Sequence, residues 1–210
     1  MKKYTAEYIG TFTLVFCGTG AIIVNQQTNG ALGLLGIAFA FGLIITSIIY
    51  IFGSISGAHI NPAVTISLAI GNLMPKNEVV GYLIAQIFGA ITASTLLHIL
   101  FPENVKLGAT MPSNGILQSF IIEFIMTFFL MLTILGLATK KENANISGIV
   151  IGLTVTGLIL LAGPISGGSF NPARSIAPAI VSKNITNLWI YIIAPILGAI
   201  LSVFVWKKLK

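Results

Sequence analysis

The stretch Ile-Ser-Gly-Ala-His-Ile-Asn-Pro-Ala-Val-Thr at residues 55–65 returns 110 positions later as Ile-Ser-Gly-Gly-Ser-Phe-Asn-Pro-Ala-Arg-Ser at 165–175. Each copy sets a proline directly after an asparagine. Proline suits the first position of a helix, where its fixed φ is already helical and its missing amide proton is no loss. Asparagine before it is a strong helix cap. Pro62 and Pro172 therefore open helices, with Asn61 and Asn171 as caps and Ala63 and Ala173 following. Both helices are short, because the uninterrupted stretches cover only 61–70 and 171–180. At 1.5 Å per residue each reaches about 15 Å, half the hydrocarbon thickness of a bilayer.

Outside these two stretches the chain is largely apolar. Of 210 residues, 56% are hydrophobic and 8% charged, and mean hydropathy is +0.99; soluble domains carry about 25% charged residues. Apolar runs near 4–24, 31–53, 79–100, 115–138, 147–163 and 187–206 are long enough to cross a membrane, with polar breaks at 25–30, 101–114 and 139–145. The first run follows Lys2 and Lys3 in the manner of a signal peptide. It lacks a small-x-small cleavage site, so we read it as a retained span. Cys17 stands alone within it and is expected to be a buried small hydrophobe with no internal disulfide. The net charge of +6 does not form a basic face. Its lysines sit singly or in pairs at the edges of apolar runs, which points away from nucleic acid.

The halves repeat beyond the two motifs. Glu7 in the first span matches Glu123 in the fourth, and Gln-Ile-Phe-Gly-Ala-Ile at 86–91 echoes Pro-Ile-Leu-Gly-Ala-Ile at 195–200. Residues 1–210 thus read as one channel domain of two repeats, approximately 1–108 and 109–210. Each repeat holds three spans and one half-helix. Three is odd, so the second repeat inserts upside down and the half-helices enter from opposite faces. Lys2, Lys3, Lys76, Lys140, Lys141, Lys207, Lys208 and Lys210 then fall on one side, and only Lys106 and Lys183 on the other. The positive-inside rule puts both termini in the cytoplasm, with the plasma (inner) membrane as the expected location.

A helix start at membrane depth leaves amide donors and partial positive charge, tolerated only where protein or a polar cavity satisfies them. Two such ends facing one another predict a polar point at mid-membrane. Arg174 is the sole arginine, three residues after Asn171 in a helix that dips into the membrane. A charge there is expensive and by default functional. Among other chemistry-bearing residues, the order of the chain offers no Cys/His metal cluster, nucleophile–base pair or phosphate loop. No enzyme activity, cofactor or metal is expected.

With these residues in hand, the chain resembles the aquaporin (major intrinsic protein) family, with bacterial-type organisation and nodulin-like features. The residues that carry the likeness are 56–65, 163–175 and the opening Glu-Tyr-Ile-Gly-Thr-Phe at 7–12. The resemblance implies an all-α membrane fold of six transmembrane helices and two re-entrant half-helices. It also implies a pore in each protomer of a homotetramer in lipid, and Asn61 and Asn171 amides donating to solute at its midpoint. Glu7 and Glu123 would be structural, accepting backbone hydrogen bonds in the half-helix loops, where a transporter would use them as proton relays. The His59 carbonyl would line the cytoplasmic half of the pore, and His98 would be interfacial.

Counting from the motifs onto the family's constriction places it at Phe41, Ile159, Gly168 and Arg174. Ile159 lacks the ring and donor of the histidine usual in strict water channels. Glycerol facilitators use two aromatics and an aspartate after the arginine, whereas this chain has Phe41 and Ser175. Nodulin-type channels for metalloid acids resemble it at Ile159 and Gly168 but carry a small first residue. An apolar wall opposite an arginine suits a solute with one weakly polar face and several hydroxyls. Three readings stay open: a water channel with a relaxed filter, a broader facilitator of glycerol or of boric and arsenous acids, and an ion-coupled transporter.

Overall fold

A computed structural model describes residues 1–113, 115–138 and 141–210. Asn114, Thr139 and Lys140, which the sequence assigns to polar breaks, lie outside the described residues, as does the side chain of Lys141. The elements in order are α1 (Lys2–Gln27), α2 (Gly33–Ser56), α3 (Pro62–Ile70), α4 (Val79–Leu100), α5 (Ile116–Ala138), α6 (Ala144–Ser166), α7 (Pro172–Val181) and α8 (Ile190–Leu209). Six of them, all but α3 and α7, are long and apolar enough to cross a membrane.

Helix ends follow local chemistry. Gly57 and Gly167 stop α2 and α6 in the left-handed conformation, at φ 86° and 87°. This is the ending that glycine makes easy. Asn61 and Asn171 begin α3 and α7 by accepting the amide protons of Ala63 at 2.9 Å and Ala173 at 3.0 Å. Two of the long helices, α1 and α6, overrun their apolar stretches at both ends: α6 starts three residues before 147 and continues through Pro164 to Ser166. Helices end where backbone hydrogen bonding ends, whereas polarity marks only where lipid contact ends.

The two halves interlock. α3 packs on α8 and α5 of the second half through Ala63, Val64, Met131, Leu135, Ala199 and Val203. α7 packs on α1 and α4 of the first through Val15, Ala90, Ala93, Ala173 and Ala177. Lipid offers no hydrophobic drive for such contacts, so they rest on close approach of small residues. Gly42 of α2 and Gly152 of α6 face each other so closely that a side chain on either would run into the other's backbone. The large outward residues, Leu43, Ile51, Val80, Phe88 and Leu117 among them, are exposed, as a lipid-facing surface requires. Cys17 departs from expectation in being half-buried.

Candidate functional site

The site is built on two loops, 57–61 and 167–171. Their backbones are twins: left-handed φ occurs at Gly57, Ala58 and Ile60 in one, and at Gly167, Gly168 and Phe170 in the other. A β-branched residue such as Ile60 at φ 45° is strained and must be held by its surroundings. Glu7 supplies the hold in the first loop. Its Oε1 accepts from the Ser56 hydroxyl at 2.7 Å and the His59 amide at 2.8 Å, and its Oε2 from the Ile60 amide at 2.6 Å. Glu123 does the same in the second, accepting from the Ser166 hydroxyl at 2.7 Å and from the Ser169 and Phe170 amides, both at 2.8 Å. Both carboxyl groups are fully buried and face backbone, not the lumen.

The loops meet tip to tip. The Asn61 amide donates to the Phe170 carbonyl and the Asn171 amide to the Ile60 carbonyl, each at 2.8 Å. An asparagine amide has two protons. One from each residue ties the loops together, and the other takes no part in that tie. Beside the pair runs a cavity of about 710 Å³. It extends from Gly53, Leu73 and Ser147, at the end of the bundle where α2 stops, past both asparagines to Phe41, Ile159, Gly168 and Arg174. One wall carries the loop residues 57–61 and 168–171; the facing wall is aliphatic, with Ile45, Leu130, Val155 and Ile159.

The four residues counted from the motifs therefore lie together at one end of this cavity. Arg174 is 1% exposed. Its Nη1 donates to the Gly108 carbonyl at 2.8 Å, and its Cζ stands 5.3 Å from the centroid of the Phe41 ring. Nε and Nη2 are buried with no hydrogen-bond partner in the protein. Buried donors of this kind are rare unless something else satisfies them. Arg174 lines the cavity, so the two unpartnered nitrogens belong to a residue of its wall.

His59 lines the same cavity. Its ring is occupied, with Nδ1 3.1 Å from the Thr65 hydroxyl and its face 4.9 Å from the Tyr82 ring. His98 is exposed near the end of α4. Among the described residues, no group of three or more His, Cys, Asp or Glu side chains is placed to hold a metal.

Several site residues escaped the sequence reading. The Tyr82 hydroxyl donates to the Ser56 carbonyl and the Tyr191 hydroxyl to the Ser166 carbonyl, both at 2.7 Å. They fasten the helix ends that precede the loops. Their separation of 109 is that of the Gln86 and Pro195 segments, a signal present in the sequence. Gly108 and Thr110 carried no such signal. Gly108 holds Arg174, and Thr110 Oγ1 lies 2.8 Å from Ser175 Oγ, which in turn lies 2.6 Å from Ser169 Oγ.

Comparison with known proteins agrees with this geometry. The family model described as "Major intrinsic protein" matches residues 1–206. Aquaporin NIP1-2 of Arabidopsis thaliana is 42% identical over 219 residues, covering all of this chain and 74% of that protein. Nodulin-26 of Glycine max is 41% identical over 212 residues, covering all of this chain and 78% of that one. The X-ray structure of the aquaglyceroporin from Plasmodium falciparum superposes with a TM-score of 0.88 over 99% of this chain and 95% of that one, at 24% identity. That structure speaks for the fold.

Proposed function

From the premise that the chain belongs to the major intrinsic protein family, the aquaporins, we propose a passive channel that passes water and small neutral solutes and excludes ions and protons. The protein is integral to the membrane. The observation that carries the reading is the make-up of the cavity wall. Among the described residues its lining includes one permanent charge, Arg174, and no carboxylate. Glu7 and Glu123 are tied into the loops behind it. An ion-coupled transporter needs a titrating or ion-binding group whose occupancy drives alternating access. Fixed amides, helix starts and a guanidinium instead make a permanent path for neutral molecules and a barrier for cations.

In this reading Asn61 and Asn171 donate to solute at mid-path, and Phe41, Ile159, Gly168 and Arg174 form the selectivity filter. The His59 loop presents backbone along the inner half. Residues 1–210 form one channel domain of two inverted repeats. The lysine distribution supports cytoplasmic termini in the plasma (inner) membrane, and the family resemblance supports a homotetramer with one pore per protomer. The chain acts as a conduit, with no catalytic step.

Ile159 and Gly168 favour the broader reading over a strict water filter. Together they line the cavity with an apolar side chain and a bare backbone, which suits glycerol or a metalloid hydroxide such as boric acid. Light-scattering traces of proteoliposomes test both points. Water flow should follow an osmotic step, re-swelling should follow a glycerol or boric acid step, and neither should depend on a pH or sodium gradient. Uphill accumulation driven by either gradient would overturn the channel reading. Ile159→His should suppress glycerol more than water, since it adds bulk and a donor where the solute's carbon backbone would lie.

A further inference from the structure

Phe41 is the bulkiest apolar group at the constriction, and its place is fixed from behind. Gly18, midway along α1, lies directly against its ring: a methyl group on Gly18 would overlap Cδ1, Cε1 and Cζ of Phe41. On the other side the Arg174 guanidinium stands 5.3 Å from the ring centroid. The ring is 4% exposed, so it is wedged between a helix backbone and the arginine. Leu14, one turn earlier on α1, contributes to the cavity wall alongside Phe41. Glycine is among the poorest helix formers, so its presence in mid-helix asks for a packing reason. Here the reason is visible: the space of the missing side chain is occupied by an aromatic ring.

We infer that Gly18 sets the width of the constriction, because the hollow above it is the seat of Phe41 and its depth fixes how far the ring stands out toward Arg174. The inference rests on Phe41 and Arg174 being filter residues. Interiors are close-packed, and α1 is itself held against α2 and α4. A ring pushed off Gly18 therefore moves toward the lumen. Gly18 touches no solute. It is a positioning residue, and a side chain there would narrow the passage by way of Phe41.

The test is a cycle of four proteins reconstituted at matched abundance: parent, Gly18→Ala, Phe41→Ala and the double variant. The readout is the ratio of glycerol to water permeability. A methylene-sized misfit in a closed site is worth about ten-fold or more, so Gly18→Ala should lower the ratio by about ten-fold. Phe41→Ala should raise it, and adding Gly18→Ala to Phe41→Ala should change it little, since there is no ring left to displace. A merely structural role for Gly18 would lower the ratio equally in both backgrounds, and that result overturns the inference. An unchanged ratio in Gly18→Ala, alongside a raised ratio in Phe41→Ala, overturns it while leaving the filter assignment standing. An unchanged ratio in Phe41→Ala removes both. If Gly18→Ala alone does not yield folded protein, recovery of folded protein in the double variant supports the inference, and failure to recover overturns it.

Discussion

The loop entering α3 and the loop entering α7 share one backbone and carry different side chains. Both begin after a left-handed glycine, both hang from a buried glutamate, and both end in an asparagine that caps a proline-led helix. The difference lies in what surrounds that frame. In the first, Gln86 donates to Glu7 at 2.8 Å and to Thr65 at 2.9 Å, and Thr65 neighbours His59. In the second, three hydroxyls stand in for them. The Ser169 proton goes to the Asn171 carbonyl, so Ser175 donates to Ser169 and Thr110 to Ser175. At the next position the first loop has Val64 and the second Arg174. The frame makes a polar junction at mid-membrane. In the proposed channel, selectivity comes from breaking the symmetry around it.

The largest expected effect attacks the shared frame. Glu7→Ala strips partners from the amides of His59 and Ile60, the Ser56 hydroxyl and the Gln86 amide. Glu123→Ala strips the amides of Ser169 and Phe170 and the Ser166 hydroxyl. Each buried donor left unsatisfied costs about 1–3 kcal/mol. Both variants should be lost from the folded fraction in detergent, and Glu7→Ala should be the less stable of the two. A folded, thermally unchanged Glu7→Ala would mean that the carboxylate does not hold the loop.

Next comes the broken symmetry itself. Arg174→Val gives the second loop the residue of the first and takes a guanidinium off the cavity wall. At an effective dielectric constant of about 20, two like charges 4–8 Å apart repel by roughly 2–4 kcal/mol, so losing that barrier corresponds to a leak on the order of 100-fold greater. Proton or cation leak, followed with a pH-sensitive dye in proteoliposomes, should rise while water flow persists. If the variant stays as proton-tight as the parent, the barrier lies elsewhere, at the paired half-helix starts.

The frame was legible in the sequence and much of its dressing was not. Asn61, Asn171, Glu7 and Glu123 could be found because a repeated backbone needs repeated caps and anchors, and repetition survives in a one-dimensional string. Phe41, Ile159 and Gly168 were reached only by counting onto a family pattern. Gly108 and Thr110 lie in the irregular segment between α4 and α5, which has no period and no twin in the other half. Gly18 looked like any helical glycine until Phe41, 23 residues away, was seen in its space. Such contacts are made by tertiary packing, and no local pattern encodes them. Helix α1 runs past its apolar stretch for a related reason: Asn25, Gln26 and Gln27 are polar yet still helical.

Tyr82→Phe and Tyr191→Phe probe whether the twins are energetic equals. Each removes one hydroxyl from a buried carbonyl, Ser56 or Ser166, in the last turn of a helix. The loss of one such bond is worth about 1 kcal/mol. The two melting temperatures should fall by similar amounts, because the rest of each ring is retained. A much larger fall for Tyr82→Phe would show that its neighbours Tyr4 and His59 are coupled to that hydroxyl, ring contacts that Tyr191 does not match among the described residues.

The smallest effect exchanges one residue between the loops. Ala58 sits at φ 48° where its twin Gly168 sits at φ 59°. A side chain in the left-handed region costs about 1–2 kcal/mol. Glycine, in turn, loses about 0.5–1 kcal/mol more than alanine to chain entropy on folding. Ala58→Gly therefore gains the first and gives back the second, a net stabilisation of roughly 0–1.5 kcal/mol, under 1 kcal/mol at the centre of both ranges. Gly168→Ala should show the opposite sign at similar size. Space does not oppose it: the new methyl would meet the Cα of Gly163 and Cγ1 of Ile159 at 3.5 Å, ordinary contact distances. That methyl would nonetheless stand against Ile159 of the cavity wall. Gly168→Ala should thus lower glycerol flux relative to water while melting almost normally, and Ala58→Gly should leave the ratio alone. The pair separates strain from aperture, which no single substitution in the constriction can do. If Ala58→Gly changed selectivity as much as Gly168→Ala, the two loops would share the work of discrimination and the functional asymmetry drawn between them would fail.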